Sequence, residues 1–236
     1  MKTSISDRMR RSIVRRFFTY PGGDYQDGRD PEGRFRLICD HVDLSQIGSV
    51  LDIGCNAGRI TRLFAEAGKF AVGLDVAPYY LTTLMDMRYA PKTPAFGKFP
   101  LTRESVDLLP SFDLVLLLSV HHWWVKEHGD AYAQAIVAKL AGKARRHLVI
   151  EFAASNDKYG YREPRFDDDE ERSVTDYALD WLKGVPGLTN VRKIGRKQER
   201  NAVETFRYLF LCDTHDRGQD VRWAIPPEQE AQGGAS

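Results

Sequence analysis

The chain lacks the features that would commit it to a disulfide scaffold, a membrane or a polyanionic partner. Its three cysteines, Cys39, Cys55 and Cys212, are scattered and odd in number, which argues against a disulfide framework and fits a reducing compartment. The longest apolar run centres on residues 114–118, far short of the ~20 residues a membrane-spanning helix needs. The first residues are charged and contain no long apolar core, so we expect no secretory leader and a cytoplasmic protein. Neither sign of charge prevails: 34 lysines and arginines stand against 33 aspartates and glutamates, a formal +1. No global field therefore pulls the protein to nucleic acid or to a lipid surface. No Gly-Lys-Ser or Gly-Lys-Thr occurs, so a P-loop is excluded. There is no internal repeat.

What is present is enough for one domain. The chain has 236 residues, of which 42% are hydrophobic, sufficient for a real core. Short β-branched runs alternate with helical patterns. Strands are expected at Ser49–Ile53, Phe70–Leu74, weakly at Ala95–Lys98, at Phe112–Val120 and at His147–Phe152. Val191–Ile194 and Thr205–Cys212 read as a closing antiparallel pair. Helices are expected from Pro31, behind the N-cap Asp30, to about Val42, and over Arg59–Ala67, Ala77–Met87, Asp130–Leu140 and Val174–Leu182. In the second of these, Ile60, Leu63, Phe64 and Ala67 share a face, with Gly68 as its stop. Alternation with long crossovers argues a mostly parallel sheet covered on both faces.

The most informative stretch is Val50-Leu51-Asp52-Ile53-Gly54-Cys55-Asn56-Ala57-Gly58. A buried strand ends in an acid and a glycine turn, a helix follows, and a second strand ends in Asp75. That is a nucleotide-binding βαβ unit. Gly54 permits a sharp turn and a close approach of ligand to backbone, and Asn56 tolerates a left-handed conformation. A nicotinamide or flavin site would place glycines at all three positions that here hold Gly54, Asn56 and Arg59. Asp52 beside the turn would repel a pyrophosphate and suits a cationic ligand.

At these residues the chain resembles the class I S-adenosylmethionine-dependent methyltransferases, whose first motif is (D/E)-x-G-x-x-x-G. Asp52, Gly54 and Gly58 match it. The resemblance implies a Rossmann-like α/β fold with a mostly parallel seven-stranded sheet and an antiparallel closing strand. It implies S-adenosylmethionine as cofactor, wrapped by Gly54, Cys55, Asn56 and Gly58. Asp52 would hold the amino-acid end, Asp75 the ribose hydroxyls, and Val76 and Ser119 would lie against the ligand. An acid that takes the adenine amino group is often found between the third and fourth strands; Asp107 is the only aspartate there. N-terminal elements of such enzymes fold over the cofactor, so residues 1–45 are expected as helices and lid, with Tyr25 and Arg34 near the carboxylate or the acceptor. The methyltransferase domain would span residues 46–213, with 154–172 as an acceptor-side loop and 214–236 as a flexible tail.

Ligands in such sheets sit at the carboxyl ends of the strands. There the chain reads Ser119-Val120-His121-His122-Trp123-Trp124-Val125-Lys126-Glu127-His128-Gly129-Asp130. The segment resembles two methyltransferase subfamilies. The methyltransferase domain of O-antigen chain terminators has S-V-F-H-H, a downstream H-G and an acid ending the fifth strand; Ser119, Val120, His122, His128-Gly129 and Glu151 match. The RNA methylphosphate capping enzymes have L-D-I-G-C-N and a later W…G-D; Leu51–Asn56, Trp123, Gly129-Asp130 and Glu151 match, but a basic lysine of that family is His122 here. Both subfamilies methylate a phosphate.

These residues point to O-methylation of a small phosphorylated or glycosylated acceptor. His122 is the expected base or anion contact, with His121 beside it and Glu151 orienting it or binding the acceptor. Trp123 and Trp124 would form a stacking wall, and Lys126 and Arg34 would meet negative charge. A zinc site is the competing use of the histidines, but no tight i, i+4 ligand pair is present, and we expect no metal. Two rival functions stand beside this one. An RNA methyltransferase would use the basic stretches Arg8–Arg16 and Arg192–Arg200. A catalytically idle cofactor-binding module would bury both His121 and His122 away from the cofactor.

Overall fold

The computed structural model describes residues 30–78, 80, 93–118, 120–153, 170–199 and 205–214. The expected N-terminal helix, Tyr25, residues 81–87 of the helix expected from Ala77, Ser119, residues 154–169 of the acceptor-side loop and the C-terminal stretch lie outside them. The central strands are short runs of apolar residues buried on both sides, as at 50–53, 114–117 and 148–153, the pattern a parallel sheet demands. In chain order the elements are α1 (Pro31–Cys39), β1 (Ser49–Ile53), α2 (Arg59–Glu66), β2 (Phe70–Asp75), β3 (Ala95–Lys98) and β4 (Phe112–Leu117). There follow α3 (His121–His128), α4 (Asp130–Ala141), β5 (Ala144–Ala153), α5 (Glu170–Lys183), β6 (Leu188–Glu199) and β7 (Thr205–Thr214).

The seven strands run in the order β3-β2-β1-β4-β5-β7-β6. The first five are mutually parallel, and β7 inserts antiparallel between β5 and β6. This is the expected sheet. Side-chain alternation splits its core in two. Leu51, Val115, Leu117, Leu148 and Ile150 face α4 and α5, whose Ala133, Ile136, Val137 and Leu140, and Val174, Ala178 and Leu182, recur at helical spacing. Val50, Leu114, Leu116 and Val149 face the other way, toward Ile38 of α1 and Phe64 of α2.

Several boundaries shift for physical reasons. Helix α1 begins as expected: Asp30 caps it, accepting from the Gly33 amide at 3.0 Å, and ends at Cys39 rather than near Val42. Helix α2 buries Phe64 of the expected face, with Ile60 packed against the same core, but adds Thr61 and Ala65 and leaves Ala67 exposed. Thr61 is buried because its hydroxyl donates to Asp52. Strand β4 stops at Leu117, and the histidine-rich segment after it forms α3.

Strands β1 and β4 are locked at their entry by one carboxylate. Asp113 Oδ2 accepts from the Gly48 and Ser49 amides, each at 2.8 Å, and from the Ser49 hydroxyl at 3.0 Å. Burial pushes its pKa up, but these donors and Arg145 win and hold it below the usual carboxylate value. Asp113→Ala should cost about 1–3 kcal/mol by stranding those donors, read as a lower urea midpoint at neutral pH. Because its folded pKa is depressed, the contribution should fade as acid protonates Asp113.

Candidate active site at the carboxyl ends of the strands

Three residues of the β1–α2 turn have positive φ: Gly54 at 70°, Asn56 at 49° and Gly58 at 72°. The turn is tied to β2 throughout. The Gly54 and Cys55 amides donate to the Leu74 carbonyl at 2.7 and 3.1 Å, and the Asn56 amide donates to Asp75 Oδ2 at 2.7 Å. Glycine is required twice over. A Cβ at Gly54 would stand 2.3 Å from Val120 Cγ2, and one at Gly58 would stand 2.4 Å from the Phe96 ring. Asn56 adopts its left-handed conformation with its side-chain oxygen accepting from the Ala57 amide at 2.7 Å.

Two buried carboxylates flank this turn. Asp52 faces α2 and accepts from the Thr61 hydroxyl at 2.6 Å. Burial, with the Asp75 charge adding to it, raises its pKa to about 7 despite that bond. Asp75 ends β2, and its other oxygen accepts from the Ala77 amide at 3.0 Å. Burial raises its pKa against the pull of these amides. The Val76 amide bonds the same carboxylate, and two oxygens with four lone-pair sites still leave acceptor capacity for a ligand hydroxyl.

A cleft of about 470 Å³ opens over the turn, within the range of small-molecule sites. Of the residues singled out from the sequence, Asp52, Gly54, Cys55, Asn56, Asp75, Val76, Arg34, Trp123 and Trp124 line it. Gly58 does not; it starts α2 beneath Phe96. Lys126 does not line it either; it is exposed, its ammonium 5.3 Å from the Trp123 ring centre. Asp107 is a surface residue paired with Lys139 at 2.6 Å and takes no part. The segment Phe99-Pro100-Leu101-Thr102 lines the cleft instead. It follows β3 directly, so the rule that ligands sit at strand carboxyl ends would have found it.

The histidines require a correction. His121 and His122 are each 1% exposed and are not among the cleft residues. The reason is helix phase. Once residues 121–128 coil, Trp123, Trp124, Glu127 and His128 lie on one side, at i, i+1, i+4 and i+5. His121 is turned into the core, 4.1 Å from the Phe152 ring centre and 5.4 Å from that of Trp181. Burial there lowers its pKa to about 3, too weak a base to collect a proton from an alcohol. His128 does reach the cleft. Its ring lies 4.4 Å from that of Tyr132, and its Nε2 is 3.8 Å from Glu127 Oε2. Gly129, at φ 84° and ψ 169°, makes this corner in a region of backbone space open essentially only to glycine. The Glu151 carboxylate is fully buried and accepts from Arg34 Nε at 2.5 Å.

Residues 51–140 match the family described as "Methyltransferase domain". No curated protein matches the chain significantly. Among solved structures, the bifunctional kinase-methyltransferase WbdD is 23% identical, with a TM-score of 0.61 over 83% of this chain and 42% of that one. The chain thus spans less than half of that protein's length. The magnesium protoporphyrin IX methyltransferase ChlM from Synechocystis PCC 6803, solved with S-adenosylhomocysteine, is 18% identical, with a TM-score of 0.55 over 89% of this chain and 94% of that one. The 1,6-didemethyltoxoflavin-N1-methyltransferase of Burkholderia thailandensis is 17% identical, with a TM-score of 0.53 over 92% and 93%. The family match covers residues 51–140, and the fold of the chain is the Rossmann-like one of these solved methyltransferases. Among the described residues, no helix is long and apolar enough to cross a membrane.

The raised pKa of Asp52 has a definite sign. In the free protein Asp52 favours the fold in acid, when neutral, and this contribution is lost as the pH climbs from about 4, the ordinary carboxylate value, through about 7. Holding a cation demands the ionised form. Affinity for S-adenosylmethionine should therefore fall by up to about tenfold per pH unit below the Asp52 pKa. Calorimetry with Asp52→Asn should give weaker binding and a flat pH profile over the same range.

Proposed function

We propose that this chain transfers a methyl group from S-adenosylmethionine to an oxygen of a small phosphorylated or glycosylated acceptor. The observation that carries the reading is the pair of buried carboxylates, Asp52 and Asp75, beside a turn that leaves no room for a side chain at Gly54 or Gly58. That donor set suits a cationic nucleoside and repels a pyrophosphate. Bound there, S-adenosylmethionine supplies a methyl group activated by its sulfonium. Asp52 balances positive charge at one end of the cleft, and Asp75 accepts from hydroxyls at the other. Phe99–Thr102 and Leu118 cover apolar surface.

The protein's remaining task is alignment of the acceptor and exclusion of water. Trp123, Trp124 and Tyr132 offer rings against which a sugar or a planar acceptor can lie. An anionic phosphate oxygen needs no base. An alcohol does, and His128 rather than His122 is the imidazole positioned to receive its proton. A phosphorylated acceptor is supported by the pairing of kinase and methyltransferase in WbdD. One observation favours a second reading: burial of both His121 and His122 is what a catalytically idle cofactor module would have. The two readings part on turnover.

The test is a screen with isotopically labelled methyl donor across phosphorylated sugars, glycosides, nucleotides and short RNA. Label should appear in a phosphorylated or glycosylated compound; labelled RNA alone, or none at all while the cofactor binds, would overturn the reading. Asp75→Ala should weaken cofactor binding by about 10–100-fold, because hydrogen bonds to a charged group contribute roughly 1.5–3 kcal/mol. His128→Ala should lower kcat on an alcohol acceptor by about 10²–10⁴-fold with cofactor affinity unchanged, whereas His122→Ala should act through stability.

A further inference from the structure

The wall of the cleft that follows β4 is built differently from the rest. Around the β1–α2 turn the lining carries Asp52, Asn56 and Asp75; after β4 it consists of Trp123, Trp124, Glu127, His128 and Tyr132. Helical spacing sets these side chains above one another, Glu127 one turn beyond Trp123 and His128 one turn beyond Trp124. Trp123 is 36% exposed, an indole left open to solvent. The Glu127 carboxylate is exposed as well, with its Oε2 3.8 Å from His128 Nε2, and the His128 ring lies 4.4 Å from that of Tyr132. An acid and an imidazole thus stand among three aromatic side chains. We propose that Glu127 selects the acceptor: its carboxylate takes hydroxyls of an uncharged sugar lying against these rings, and it rejects a phosphorylated sugar.

A sugar offers an apolar C–H face and a rim of hydroxyl donors. The first buries area against aromatic rings, and an ionised carboxylate, which only accepts, matches the second. A phosphate needs donors, and an ionised Glu127 has none to give; its charge repels a second anion. The cations nearby do not reverse the sign. Arg34 lines the cleft but is paired with Glu151. Lys126 and Arg103 lie against the Trp123 and Tyr132 rings, 5.3 and 5.8 Å from their centres, and neither lines the cleft. Local structure does not call for an acid at position 127. It is the last residue but one of α3, and the C-terminal end of a helix favours cations, as Lys126 and His128 supply. An exposed pairing with His128 adds little to stability. A residue that breaks a local rule is expected where a protein serves a ligand.

The inference rests on the methyl-transfer reading and chooses the glycosylated acceptor within it. Glu127→Gln removes the charge and Glu127→Lys reverses it; the side chain is exposed, so both variants fold. Each is compared with wild type as the complex with S-adenosylhomocysteine, titrated with methyl hexosides and with the matching hexose phosphates, binding being read from tryptophan fluorescence. Rates with labelled S-adenosylmethionine are measured on the same panel. Wild type should bind and methylate a neutral hexoside. Glu127→Gln should raise its Kd and KM by at least about tenfold, with kcat and S-adenosylmethionine affinity little changed; a residue needed only for stability would not split KM from kcat. Glu127→Lys should shift the preference toward the phosphates. Wild type that takes only the phosphates, or nothing in the panel, overturns the proposal, and so does Glu127→Gln with the wild-type ratio of hexoside to phosphate affinity. A hexoside that binds through Glu127 but is never labelled leaves the specificity assignment standing and overturns methyl transfer instead.

Discussion

The hydrogen bonds that close the β1–α2 turn onto β2 are what the rest of the site depends on. The Leu74 carbonyl receives two amides of the turn, and Asp75 receives a third. These contacts hold a backbone with three positive φ angles in five residues, a conformation that costs energy wherever it is not over-determined. They also spend part of the Asp75 carboxylate on the protein itself. The acid is thus aimed before any ligand arrives, and its remaining lone pairs point where a ligand must be. Pre-aiming lowers the ordering cost of binding.

The same logic explains why Asp52 is unlike a surface aspartate. Its strand position places it on the α2 face, where Thr61 meets it, and the neighbouring Asp75 discourages its charge. A carboxyl poised to ionise near neutrality is a site that gains most from a cation. The energy withheld in the free protein is returned when positive charge occupies the cleft. Stability of the empty domain and affinity for its ligand are therefore opposed at this residue, as they are at many functional sites.

The centre of the sheet was legible in the sequence because its strands there obey one rule. Val50-Leu51 and Leu114-Val115-Leu116-Leu117 are apolar without alternation, which only a sheet covered on both faces permits. The turn was legible for a different reason, since glycine and asparagine there answer a backbone demand rather than a packing one. The segment after β4 was not. His121-His122-Trp123-Trp124 has no clear apolar period, and its residues are middling helix formers. Its helicity comes from packing Trp124 and His121 beneath the cleft. Without the helix the three histidines read as one cluster. With it, His121 and His128 are two turns, roughly 10 Å, apart along the axis, and only His128 meets the ligand space.

Glu151 illustrates the limit of reading function from strand ends. Its place at the carboxyl end of β5 was evident, and an acid there invites a catalytic role. Its partner was not evident, because Arg34 lies 117 residues earlier on a helix that no local pattern connects to β5. Alternation along β5 decides the matter: Leu148, Ile150 and Phe152 point to α4 and α5, so Glu151 must point to the side where α1 packs. A buried acid on that face requires a cation from that helix, or it would be neutral. Arg34 meets the requirement through its Nε, and it lines the cleft as well. A tie between two elements of the fold thereby also shapes the wall of the ligand space.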